Sequence, residues 1–204
     1  MKVLVINGSP NKDGCTKRGL DEVMNTLHEE GIETEYIQIG DKEIRGCMAC
    51  NYCREHHKCA YDDIVNESAK IFEECDGILV GSPVYYSNSN GTVINFLERL
   101  FHSSYIKKSM KVGAAIASSR RAGSTSVLDE IYKFYTLSNM PVVASSYWAE
   151  IHGYTKEDVE KDKEGLQTMR NLGKNMAFMI KSIHLGKEKY GLPEYDKGEW
   201  TNFI

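Results

Sequence analysis

The chain has 204 residues, with 25 lysines and arginines against 29 aspartates and glutamates, a net charge of −4 and a pI near 5.9. That length supports one domain with a full hydrophobic core, and the mild acidity without a long basic block argues against nucleic acid or an anionic membrane as the main partner. No run approaches the roughly 20 apolar residues of a membrane span and Met1-Lys2 leads directly into a strand, so a cytoplasmic protein without a signal peptide is expected, its six cysteines being thiols or metal ligands rather than disulfides.

Val3-Leu4-Val5-Ile6 is an unbroken, mostly β-branched run that suits a strand buried on both faces of a parallel sheet. Asn7 to Gly14 then supplies turn formers, and a helix follows from Thr16 with Leu20, Val23, Met24 and Leu27 on one stripe. A strand, a polar glycine-containing loop and a helix N-terminus can hold a phosphate, because the unpaired first-turn amides and the helix dipole both favour an anion. Ser9, Asn11 and Thr16 add side-chain donors there, with Lys17 or Lys12 as a cation. The loop is neither G-x-x-x-x-G-K-[ST] nor G-x-G-x-x-G: Gly8 to Gly14 is one residue too long for the first, and Cys15 stands in place of its lysine. One phosphate is therefore expected rather than a triphosphate or a pyrophosphate; the alternative is an ordinary strand-to-helix turn.

Thr34 to Ile39 alternates as a less buried second strand, nearer a sheet edge. A cysteine-rich loop spans 46–60, after which Asp62 or Asp63 caps a helix carrying Ile64, Ile71 and Phe72. Gly77 to Gly81 is the third strand, followed by Ser82-Pro83-Val84-Tyr85-Tyr86 and a helix over Gly91–Tyr105. Val112 to Ala117 is the fourth strand, with the polar, arginine-bearing loop 118–124 and a helix over 125–138 behind it. Pro141 to Ala144 is expected as the fifth strand. Thr155 to Asp158 resembles a capping box that opens a last helix, striped by Leu166, Met169, Leu172, Met176, Met179 and Ile183.

This alternation predicts an α/β three-layer sandwich, a five-stranded parallel sheet in the flavodoxin-like order 2-1-3-4-5 with helices on both faces. The domain is expected over 1–185. A tail over 186–204, with Tyr190, Tyr195, Trp200 and Phe203, is expected to dock on a partner subunit. In this order a ligand sits at the carboxyl ends of strands one and three. A phosphorylated receiver domain would need carboxylates there, and Asn7-Gly8-Ser9-Pro10 and Gly81-Ser82-Pro83 offer none. Pro83 and the two tyrosines can flank a planar ring while backbone amides meet its polar edge; alternatively both tyrosines pack on the neighbouring helix. The loop from Ser118 to Gly123 ends on the same rim.

Cys47, Cys50, Cys53 and Cys59 are spaced C-x2-C-x2-C-x5-C. Closely spaced thiolates can wrap successive corners of a 4Fe–4S cubane, as in the C-x2-C-x2-C-x3-C-P run, although here the last gap is wider and Ala60 follows. Zinc, with His56 or His57 replacing a cysteine, and free or oxidised thiols are the alternatives. Cys15 reads as a small polar filler that a helix N-terminus can make more acidic, and Cys75 as structural. His28, His102, His152 and His184 are scattered, with no hydrolase triad at motif spacing.

GSPNKDGCT, GSPVYYSNSNGTVINFLERL and SSRRAGS, together with the helix segment DKEGLQTMRNLGK, resemble the NAD(P)H-dependent FMN reductase branch of the flavodoxin-like flavoproteins. The resemblance implies FMN, its phosphate at Ser9, Asn11, Cys15, Thr16 and Lys17. The isoalloxazine would lie near Pro83, Val84, Tyr85, Tyr86 and Asn88, with Ser118 and Gly123 opposite. Cys15 departs from the serine or asparagine usual at its position. The cysteine spacing resembles the iron–sulfur flavoproteins of the same family. An oxidoreductase is implied in which the flavin carries the chemistry and no side chain acts as acid or base. It would take hydride from NAD(P)H and reduce a flavin, a quinone or a similar small acceptor, or take single electrons from ferredoxin through the cluster. A non-enzymatic, zinc-stabilised interaction module is the distant third reading. The aromatic tail and the cysteine loop lead to an expected homodimer or homotetramer.

Overall fold

The computed structural model describes residues 1–196, 198, 199 and 201. The elements in chain order are β1 (Lys2–Asn7), α1 (Cys15–Glu29), β2 (Glu33–Gln38), α2 (Tyr52–His56), α3 (Ile64–Glu74), β3 (Gly77–Tyr85) and β4 (Asn88–Ser89). α4 (Gly91–Ser103), β5 (Val112–Ser119), α5 (Ser124–Leu137), β6 (Glu150–His152), α6 (Lys156–Val159) and α7 (Lys163–Tyr190) complete them.

The parallel strands lie in the order β2-β1-β3-β5-β6, which is 2-1-3-4-5 when the parallel strands alone are numbered. β1 is an interior strand, paired on both sides, with Val3, Leu4, Val5 and Ile6 fully buried. Each such side chain contributes about 1.5–3 kcal/mol by leaving water. β2 is the edge its alternation predicts, with Lys2 opposite Glu33 and Asn7 opposite Gln38. α1 and α7 pack together as one outer layer, while α3, α4 and α5 pack in series as the other. Tyr135 of α5 is fully buried and donates its hydroxyl to the Ala114 carbonyl at 3.0 Å, satisfying its one polar atom inside the core.

The fifth strand lies elsewhere than expected. Pro141–Ala144 begins the pairing, with a single bridge between Gly113 and Val142, but the ladder proper is Glu150–His152 against Ala117–Ser119. The capping box at Thr155 is real, yet it opens only the one-turn α6, and α7 begins afresh with Asp162 accepting from the Gly165 amide at 2.9 Å. α7 continues to Tyr190, beyond the expected boundary at 185. Of the tail aromatics, Trp200 and Phe203 fall outside the described residues. No helix among the described residues is long and apolar enough to cross a membrane.

Candidate functional site

Loop one leaves β1 and is fixed by its own polar side chains. The Ser9 amide donates to Asn7 Oδ1 at 3.0 Å, and the Asn11 amide to Ser9 Oγ at 3.2 Å. Gln38 Nε2 holds the Ser9 carbonyl at 2.6 Å, and Asn7 Nδ2 donates to Tyr36 Oη at 3.0 Å and to Gln38 Oε1 at 2.8 Å. The Gly8 amide reaches the Gly81 carbonyl at 2.8 Å, which ties the loop to β3.

On the other side, β3 runs on through Tyr85 and turns back as β4, with Val84 paired to Ser89 and Tyr85 to Asn88. Tyr86 and Ser87 form the turn with φ of 49° and 63°, the left-handed pair that a two-residue hairpin requires. Gly123 sits behind it with φ of 94°, where a Cβ would come within 2.7 Å of Ser87 Cα. Asn90 joins the two loops: its amide donates to Ser82 Oγ, its Oδ1 caps α4 at the Val93 amide, and its Nδ2 donates to the Gly8 carbonyl.

Between these loops lies a cleft of about 360 Å³, lined by Ser9, Asn11, Gly14, Cys15, Thr16, Pro83, Val84, Tyr85 and Ser118, with Ser119, Arg120 and Gly153–Lys156. That volume falls within the roughly 300–1,000 Å³ of small-molecule sites. Thr16 and Ser118, both buried, share a hydrogen bond of 2.7 Å across its floor. α1, whose N-terminus borders the cleft, starts after Gly14 with no side-chain cap, whereas α3, α4, α6 and α7 are capped by Asp63, Asn90, Thr155 and Asp162. That helix end thus keeps its first-turn amides available to a ligand, an arrangement suited to a phosphate.

Four expected contacts are not cleft-lining. Lys17 turns back along α1 to pair with Asp21 and lies over the Tyr36 ring, 5.1 Å from its centroid. Tyr86 is fully exposed at the hairpin tip, Asn88 is taken up in the hairpin, and Gly123 supports it from behind. Lys12 pairs with Asp41 at 2.9 Å. The cations that do line the cleft are Arg120 and Lys156, the latter bonded to Asp13. Burial pushes the Cys15 thiol up rather than down, and its Sγ donates to the Thr155 carbonyl at 3.3 Å. Burial likewise drives the Cys75 thiol up to about 11, as fits a structural residue. The wall from Gly153 to Lys156 was hidden in the sequence because its parent strand was sought eight residues too early.

Cys47, Cys50, Cys53 and Cys59 line a second pocket together with Met48, Tyr61, Arg99, His102 and Ser103. Its free volume is about 20 Å³, room for one or two waters, so any cluster must enter by displacing the exposed segment around Cys47 and Cys50. That segment has no regular structure and holds Ala49 and Asn51 at φ of 53° and 59°, strain of the kind found at binding loops. The opposite wall is rigid. Cys53 is buried on α2, and the Asn66 side chain grips Cys59 from both sides, accepting its amide and donating to its carbonyl, each at 3.0 Å. Arg99, 1 % exposed, donates Nε–H to Cys59 Sγ at 3.1 Å and forks onto Asp63 at 2.7 and 2.9 Å. Burial works to lower the Arg99 pKa, but the bonds to Asp63 and Cys59 outweigh it and leave the guanidinium firmly charged. His56 stacks on Tyr52 and His57 meets Tyr105 edge-on; His102, unremarkable in the sequence, is the histidine at the pocket. Among the described residues no three His, Cys, Asp or Glu side chains converge on a single-ion site.

Fold and cleft together define a flavodoxin-like protein with a small-molecule cleft at the switch point of its sheet. The family model for NADPH-dependent FMN reductases matches residues 1–155, and the chain belongs to that family of flavin-binding oxidoreductases. An iron–sulfur flavoprotein of Methanocaldococcus jannaschii is 36% identical over 191 residues, covering 90% of this chain and 99% of the relative. A second, from Archaeoglobus fulgidus, is 30% identical over 192 residues, covering 89% and 98%. Among solved structures, an archaeal flavodoxin superposes with a TM-score of 0.61 at 20% identity, covering 89% of this chain and 99% of that one.

Proposed function

We propose that this chain binds FMN in the cleft and a 4Fe–4S cluster at Cys47, Cys50, Cys53 and Cys59, and that it passes single electrons from a small acidic protein of the ferredoxin kind to the flavin. The observation that carries the reading is the second pocket: four cysteines around one cavity, with a buried cation aimed at one of them. Two relatives that span nearly the whole chain bear the name iron–sulfur flavoprotein, which favours this reading over direct hydride uptake from NAD(P)H. The compact C-x2-C-x2-C-x5-C spacing suits successive corners of a cubane better than the separated pairs of a tetrahedral zinc site. Within the loop 46–60 Arg54 and Lys58 stand against Glu55 alone, a slight positive excess on an acidic chain that suits an acidic electron donor.

In the cleft, the first-turn amides of α1 with Ser9, Asn11 and Thr16 would hold the phosphate, and Pro83, Val84 and Tyr85 would flank the ring. FMN accepts electrons singly or in pairs and so can deliver two to a small-molecule acceptor. The residues bind, orient and shield; none is required as an acid or base. The α4 helix separates the two sites, with Asn90 at the cleft and Arg99 nine residues on at the cysteine pocket, about 14 Å along the axis. Exposed Met48 and Tyr105 beside that pocket suit a second copy of the chain, whose flavin would then be the nearer acceptor.

Anaerobic purification with iron, sulfide and flavin counted tests the reading. About four iron and four sulfide per chain, with FMN released on heating, is the expected result. Flavin with zinc or no metal, in protein supplied with iron, refutes the cluster and leaves the NAD(P)H reading in its place.

A further inference from the structure

Arg99 lies in Leu97-Glu98-Arg99-Leu100 of α4, yet its side chain is among the most buried in the protein. A buried guanidinium is held only where its donors are met. Here Asp63 takes two in a fork, the Tyr61 and Arg45 carbonyls take others at 3.2 and 3.3 Å, and the remaining Nε–H points at Cys59 Sγ. Its plane also lies over the Tyr61 ring, 5.2 Å from the centroid. The fork fixes the direction of Nε–H, because two bonds to one carboxylate leave the planar group no freedom to swing. Asp63 is itself immobile, since Oδ1 also caps α3 at the Val65 amide.

We propose that Arg99 is the positioning residue of Cys59, and that the Arg99–Asp63 pair sets the reduction potential of the cluster this loop holds. The inference rests on the cluster reading above. When a cluster takes one electron no bond forms or breaks; one negative charge is added and shared with the ligand sulfurs. A donor fixed on Cys59 Sγ stabilises that added charge and raises the potential. Asp63 opposes it, its carboxylate cancelling the guanidinium's field at the sulfur while holding the donor in place. Cys59 is thus the preorganised ligand, clamped by Asn66 at its backbone and by Arg99 at its sulfur, and Cys47 and Cys50 close onto a geometry already set.

Two variants move the potential in opposite directions. Arg99→Lys keeps the charge, but one ammonium cannot span both Asp63 and Cys59, so the cluster is reduced at lower potential. Asp63→Asn keeps Oδ1 for the α3 cap and for the Nη2 arm of the fork, leaves Nη1 to the Arg45 carbonyl, and removes the opposing charge, so the potential rises. Each change is roughly tenfold in the oxidised-to-reduced ratio at fixed potential, or about 59 mV for one electron. The measurement is a redox titration of anaerobically purified protein followed by the cluster's electron paramagnetic resonance signal, with iron and sulfide counted in each variant. Shifts of opposite sign support the assignment. Unmoved potentials, or shifts of the same sign, overturn it and show Arg99 to be packing alone. If Arg99→Lys fails to hold iron, Asp63→Asn decides by itself: a rise supports the assignment and no rise overturns it. Wild-type protein without iron or sulfide overturns the cluster reading, and the inference falls with it.

Discussion

Asn90→Ala is the most informative single change to the cleft. The side chain is 4 % exposed and serves two elements: Oδ1 receives the Val93 amide at 3.0 Å as the α4 cap, and Nδ2 donates to the Gly8 carbonyl in loop one. Losing the cap costs about 1 kcal/mol, and leaving the buried Gly8 carbonyl unmet costs about 1–3 kcal/mol more. The expected loss is therefore about 2–4 kcal/mol in urea unfolding of the flavin-free protein. For a chain of this length each kilocalorie lowers the melting temperature by about 2–4 °C. Asn90→Asp separates the two contributions, because its carboxylate keeps the cap and cannot donate to Gly8. It should lose the Gly8 bond and add the cost of a buried carboxylate facing that carbonyl, while still weakening flavin binding, since loop one is released in both. A loss below about 0.5 kcal/mol for Asn90→Ala would refute the reasoning. So would a flavin affinity unchanged in both variants.

Thr16→Ala removes a buried hydroxyl at the first turn of α1 and should weaken FMN binding by about 1–2 kcal/mol in a fluorescence titration; unchanged affinity would mean that Thr16 meets only Ser118. Any one of Cys47, Cys50, Cys53 or Cys59 changed to Ala should abolish the cluster's broad visible absorption while FMN content holds, because the phosphate loop lies at the other end of α4; a mutant keeping the full spectrum removes that residue from the ligand set. Cys75 gives a pH signature. Its thiol rises from 9.0 to about 11 on folding, so the neutral form is favoured in the native state and stability is lost as pH climbs between those values. Relative to Cys75→Ala, the wild type should lose about 2 kcal/mol by pH 11 in denaturant titrations; parallel curves would show the thiol titrating alike in both states.

Much of the fold can be read from residue order because the deciding signals are local. The run Val3 to Ile6 leaves no exposed face, and Asp63 before Ile64 is a cap whose geometry the structure bears out. The fifth strand is different. Val142 and Val143 carry the β-branched signal yet contribute one bridge, while Glu150-Ile151-His152 pairs with β5 through residues that look like loop. Its polar members are satisfied by distant partners: the His152 amide by Asp162 at 2.7 Å, and the ring by Ser119 Oγ at 3.1 Å. No local pattern carries that information. The same holds for the cysteine pocket. Spacing groups the four thiols, but Arg99 reads as an exposed helical residue, and only the packing of α4 against the loop brings it to Cys59. Lys17 differs in the other direction: its position places it by the phosphate loop, while an i,i+4 partner at Asp21 takes its ammonium.

The uncapped helix at the cleft also bears on how the chain survives between synthesis and use. A glycine N-cap costs a helix a few tenths of a kcal/mol relative to a capping side chain, and α1 carries Gly14 there, beside the cleft. A phosphate bound there would supply the absent cap, and loading would then be the closing step of folding. At a hundredfold excess over its dissociation constant, a ligand adds about 2.7 kcal/mol. Cellular supply of the cofactor therefore sets how long an empty chain withstands proteases, and flavin scarcity should show first as lower abundance of this protein rather than as an inactive pool.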